Sequence, residues 1–165
     1  MGASIKDILG DRLPECLKNL KHDIRIGNVY MIGLSRNDGI YIKDRDKESI
    51  AKYFVVIGFD EMGNIYGGVV ISTDLPSSLT DKILQYQYYI KVSDNNFLKY
   101  DSWVNCYQII PSRPDKLNDN TFLGVIDNRS LFHIINMILD PKNPSITDAQ
   151  RGLYNIKLPD DLICV

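Results

Sequence analysis

The chain has 165 residues, 44% hydrophobic and 24% charged, the balance of a globular domain large enough to bury its own core. Its formal net charge of -2 excludes a globally basic surface, so a polyanion would have to meet a local cluster of cations. Cys16, Cys106 and Cys164 lie far apart, with no C-x-x-C or Cys/His metal spacing, and read as structural thiols of a reducing cytoplasm. No metal site and no cofactor is expected.

Residues 4–26 read as helix, with Leu13, Leu17 and Leu20 on one face, and residues 1–25 as an N-terminal helical extension. The opening residues show no basic stretch leading into an apolar core, and no apolar run reaches membrane-spanning length. A cytoplasmic protein without a membrane partner is therefore expected. "IGNVYMIGLS" (26–35) is a first strand. Residues 36–51 read as one long mobile loop, with a small ribbon at 40–42 and alternating charge from Arg36, Lys43, Arg45 and Lys47 against Asp38, Asp44, Asp46 and Glu48.

A hairpin follows. Residues 54–59 and 65–71 are rich in β-branched side chains around a turn at 60–64, and Gly67-Gly68 marks a bulge or a close backbone approach. The second strand stops at Ser72, Thr73 and Asp74. Residues 75–85 read as a linker with a short helical stretch, 86–93 as a strand, and 102–112 as another. A short strand at 120–126 leads to a helix capped by Asp127 or Asn128, whose apolar face is Leu131, Ile134, Ile135 and Ile138. His133 lies beside that face as a structural histidine. Residues 140–165 form a proline-bearing tail with little periodicity, either wrapped on the surface or mobile. Together these elements predict a mainly β, α+β fold, a small bent antiparallel barrel with a C-terminal helix.

Several stretches in that order resemble the MazF/PemK family of toxin-antitoxin ribonucleases, of the Kid/CcdB superfamily. "GNVYMIGL" is similar to its opening strand, "KYFVVIG" to the strand after its Arg-Pro, and "VVISTD" to the strand ending in threonine. "LKYDSWVNCYQI" and "LGVIDNRSLFHIINMIL" resemble its Leu-Lys/Cys-Asp-Gln segment and its closing strand and helix. The resemblance covers residues 26–139 and implies an SH3-like barrel.

It also implies a toxin acting as a metal-independent endoribonuclease on single-stranded RNA, with the ribose 2′-hydroxyl as internal nucleophile. The implied catalytic residues are Lys52, where the family has arginine, and Thr73. Arg36, Arg45, Ser72 and Gln108 are the implied substrate-binding residues. A cognate antitoxin and a homodimer are the implied protein partners. Lys52-Tyr53 stands in place of Arg-Pro, Asp74 in place of a hydroxyl residue and Tyr107 in place of aspartate. A lysine offers phosphate a point charge where arginine offers a fork. These departures support a second reading, a barrel that has lost catalysis and serves as a binding or regulatory module. Tyr86, Tyr88, Tyr89, Trp103 and Tyr107 are candidates to stack on bases, or else core and interface residues.

Overall fold

The computed structural model describes residues 23–162, so nearly all of the expected N-terminal helix lies outside the described residues. The strands are β1 (Asn28–Ser35), β2 (Ser49–Phe59), β3 (Tyr66–Ser72), β4 (Gln87–Ile90), β5 (Ser102–Asn105), β6 (Ile110–Ser112) and β7 (Phe122–Val125). The helices are α1 (Asp81–Leu84), α2 (Asn128–Leu139) and α3 (Asp148–Leu153). All ladders are antiparallel, in the order β4-β5-β3-β2-β1-β7, with β6 also on β3. This is the mainly β, α+β class expected. Among the described residues no ladder joins β4 to β7, so the sheet is not closed into a barrel.

β2 and β3 are buried without alternation from Phe54 to Phe59 and from Tyr66 to Ile71, which means that both of their faces are covered. That is why the hairpin reads as continuous apolar runs. The register shifts between Val56 and Gly58, so the extra residue lies on β2, opposite the glycine pair. The glycines instead permit close approach. A Cβ on Gly68 would lie 2.5 Å from Cε2 of Phe54, and one on Gly67 2.8 Å from Cγ of Tyr154.

The expected strand at 102–112 is two strands. Asn105 Oδ1 accepts the Tyr107 backbone N–H at 3.1 Å, a local side-chain turn that takes this amide out of any ladder. The chain turns at 106–109 and rejoins β3 further along, so β5 pairs with Ile71 and Ser72, and β6 with Tyr66, Gly67 and Gly68.

α2 forms as its pattern requires. Asp127 Oδ2 accepts from the Ser130 N–H at 3.0 Å, and Leu131, Ile134, Ile135 and Ile138 are all buried. The tail belongs to the core. Ile146, Tyr154, Ile156 and Leu162 are buried in it, Tyr154 O accepts from the Phe59 N–H at 2.9 Å, and Asn155 Nδ2 donates to Phe59 O at 2.9 Å. Arg151 fastens α3 to the end of α2 by donating to the carbonyls of Ile138 and Asp140, each at 2.8 Å.

Residues 36–48 are stitched, where a long mobile loop was expected. Arg36–Asp38 is a 3₁₀ turn closed by Gly39 at φ 88°, and Ile40 and Ile42 are buried. The Arg36 guanidinium donates to the carbonyls of Lys47 (2.9 Å), Ile42 (3.1 Å) and Asp44 (2.9 Å). One fixed cation thus replaces the ladder that this segment lacks, and no ribbon forms at 40–42.

Candidate functional site

The polar end of β3 opens into a cleft of about 490 Å³. Its floor is a strip running across three strands. Tyr53 pairs with Ile71, so Lys52 and Ser72 are cross-strand neighbours, and Ser72 pairs in turn with Trp103 on β5. Directly paired side chains share a sheet face, so the register alone sets a cation, a hydroxyl and an indole side by side. Val70, Asn105 and Gln87 continue the same face one step inward. The walls are Gly39–Tyr41 on one side and the segment from Thr73 through α1 on the other, with Tyr107 and Gln108 at the β5–β6 turn.

Lys52 carries the site's charge. Its Nζ donates to Ser72 Oγ at 3.0 Å, and burial lowers its pKa from the usual lysine value. Among the described residues no carboxylate lies within ion-pair distance of it. A half-buried, unneutralised ammonium beside a hydroxyl is a ready anion site.

The structure brings together four of the six sequence-derived site residues: Lys52, Ser72, Thr73 and Gln108 all line the cleft. Thr73 is exposed at the rim next to Asp74, the one carboxylate among the lining residues. Gln108 Nε2 donates to Gly39 O at 3.3 Å and so ties the β5–β6 turn to the opposite wall. Arg36 and Arg45 do not line the cleft. Arg36 holds the wall segment together from behind, and Arg45 is exposed on that segment.

The candidate stacking aromatics divide. Trp103 and Tyr107 line the cleft. Tyr89 packs against Trp103 at a centroid distance of 4.9 Å and donates its hydroxyl to Asp101. Tyr88 stacks on His133 at 5.4 Å, and Tyr86 donates to Asp140 Oδ2 at 3.0 Å, both structural roles. Cys106 is fully buried and burial pushes its thiol up, so it is inert there.

Sequence reasoning missed Asn105, Gln87 and Tyr41. The signal for Asn105 was its position two residues beyond Trp103, on the face that Trp103 shares with Ser72. Gln87 follows from Asn105 by cross-strand pairing. Tyr41, 80% exposed at the rim, gave no signal inside a charged segment.

Fold and site together define a mainly β domain with a cleft lined by a lysine, hydroxyl groups and aromatic rings at the polar end of β3 in an antiparallel sheet. Its described residues include no helix long and apolar enough to cross a membrane and no cluster of three or more His, Cys, Asp or Glu that could hold a metal. No protein-family model matches the chain, and no curated protein is significantly similar to it.

Proposed function

We propose that the protein is a MazF/PemK-like endoribonuclease that cleaves single-stranded RNA at the Lys52 cleft. The observation that carries this reading is the half-buried Lys52 ammonium, 3.0 Å from Ser72 Oγ and with no carboxylate within ion-pair distance among the described residues. Such a group costs stability unless a ligand anion meets it. The bent antiparallel sheet is read as an SH3-like arrangement left open at one seam. A homodimer and an antitoxin partner belong to the same proposal and rest on the resemblance alone.

In the proposed reaction the ribose 2′-oxygen attacks the adjacent phosphorus, and the bond from phosphorus to the 5′-oxygen of the next nucleotide breaks. The products are a 2′,3′-cyclic phosphate and a 5′-hydroxyl. Lys52 offsets the charge gathered on the phosphoryl oxygens, and the hydroxyls of Ser72 and Thr73 donate to them. Asp74 takes the 2′-hydroxyl proton, the leaving oxygen takes one from water, and the resulting hydroxide recovers the proton from Asp74, so Lys52 stays charged throughout. The reaction needs no external co-reactant.

A second reading, a binding module without catalysis, is favoured by one observation. The Arg36 guanidinium is committed to three backbone carbonyls, so it offers the cleft no forked donor. Incubating the full chain with a mixed single-stranded RNA pool in the presence of a chelator separates the two. Fragments with cyclic phosphate ends, slowed by Asp74→Asn and Thr73→Ala, support the nuclease. An RNA pool that is bound but left intact supports the module.

A further inference from the structure

The cleft holds a second set of polar groups beyond the proposed reacting ones, and their orientation is fixed. Asn105 Oδ1 accepts the Tyr107 backbone N–H at 3.1 Å, and a backbone N–H can only donate. That identifies the oxygen end of the Asn105 amide, so Nδ2 is the other end. Gln87 Nε2 donates to the same Asn105 oxygen at 2.9 Å, which leaves Oε1 as the free end of Gln87. Among the described residues neither Asn105 Nδ2 nor Gln87 Oε1 has a hydrogen-bond partner. Both residues are half-buried and line the cleft. The pair therefore offers one donor and one acceptor, held in place by the turn that also ends β5.

Beside them lies a flat surface. Trp103 precedes Asn105 by two residues on the same strand face, and Tyr89 buttresses its ring. An aromatic plane next to an adjacent donor and acceptor matches a nucleobase, which offers a π-face and an edge of alternating acceptor and donor groups. Spacing fits as well. Asn105 is one strand over from Ser72 and two residues out of register, which puts their Cα atoms about 8 Å apart. That separation is on the scale of a single nucleotide.

We propose that Asn105, Gln87 and Trp103 form a nucleobase subsite, so that the cleft takes one nucleotide with its phosphate at Lys52 and Ser72 and its base on the amide pair. The inference rests on the phosphate position adopted for the proposed function, and it assigns the substrate's orientation in that site. The base would stack on Trp103 while its edge accepts from Asn105 Nδ2 and donates to Gln87 Oε1.

Trp103 is the chain's single tryptophan, so its fluorescence reports on this subsite alone. The experiment titrates the full chain with the four nucleoside 3′-monophosphates, with ribose 5-phosphate as a base-free competitor for the phosphate position. Saturable quenching by nucleotides, with none from ribose 5-phosphate, is expected. Gln87→Met removes the free acceptor, adds no charge and leaves the Asn105–Tyr107 turn in place. It should weaken nucleotide binding about tenfold while leaving competition by ribose 5-phosphate unchanged. Fluorescence indifferent to every nucleotide would overturn the proposal. So would a Gln87→Met variant that loses nucleotide and ribose 5-phosphate affinity alike. A protein that quenches as described but cuts no RNA retains this subsite and loses the nuclease reading. One that cuts RNA without any Trp103 response does the reverse.

Discussion

The glycine pair on β3 allows a quantitative test of how the sheet that carries the site is packed. A methyl group at Gly68 would lie 2.5 and 2.6 Å from Cε2 and Cε1 of Phe54, far inside the separation of about 3.5–4.0 Å at which carbon atoms attract. Phe54 has no exposed surface and pairs across the hairpin with Val70, so its ring has little room to retreat. Gly68→Ala should therefore destabilise the fold by about 1–3 kcal/mol, as overpacking of a filled core does. With a urea m-value of about 2 kcal/mol/M, the midpoint should fall by about 0.5–1.5 M at unchanged m. Phe54→Leu made together with Gly68→Ala should recover about 1 kcal/mol relative to the sum of the single changes, because the smaller side chain vacates the contested space. Because Val70 also lines the cleft, the same clash should disturb ligand binding there. A Gly68→Ala midpoint equal to that of the native chain, or strict additivity in the double variant, would refute this account of β2–β3 packing.

Lys52→Met should hold or raise the urea midpoint while removing phosphate binding, since burial already disfavours the ammonium and lowers its pKa. The sign follows from linkage. A cation whose folded pKa is depressed costs stability while charged in both states, and that cost fades as pH rises from the lowered pKa to the unfolded one. Native stability should thus gain over that alkaline window and Lys52→Met should not, while phosphate affinity falls at a lower pH than an ordinary lysine would give. Arg36→Ala removes three donors to the carbonyls of Ile42, Asp44 and Lys47, and should raise amide hydrogen exchange across residues 39–48 and weaken binding in the cleft whose wall they form. Unchanged exchange there would show that the segment is held by Ile40 and Ile42 instead.

Much of the scaffold was legible because its signals are local. The β-branched hairpin, the Asp127 cap and the apolar spacing of α2 each declare themselves within a few residues. Lys52 and Ser72 enter through the family resemblance and not through a local signal, although they meet across one hairpin. What failed depends on partners distant in sequence or on backbone groups that carry no residue signature. Arg36 reads as a free loop cation, yet its acceptors are three carbonyls. The tail reads as an appendage because Ile146, Tyr154, Ile156 and Leu162 follow no period, although each finds the core. Asn105 broke a strand that hydrophobic patterning alone would have continued, and the same turn fixed the amide pair that sequence reasoning overlooked.

The central claim is that Lys52 acts on a phosphate of single-stranded RNA, and single-turnover cleavage by the native chain, Lys52→Ala and Lys52→Arg in chelator tests it most directly. Loss of one charge-assisted donor to a reacting phosphate predicts a rate about 10²–10³ lower for Lys52→Ala. Lys52→Arg, which restores a forked donor, should match or exceed the native rate. Cleavage by Lys52→Ala at the native rate, or no cleavage by the native and arginine chains alike, would contradict the claim.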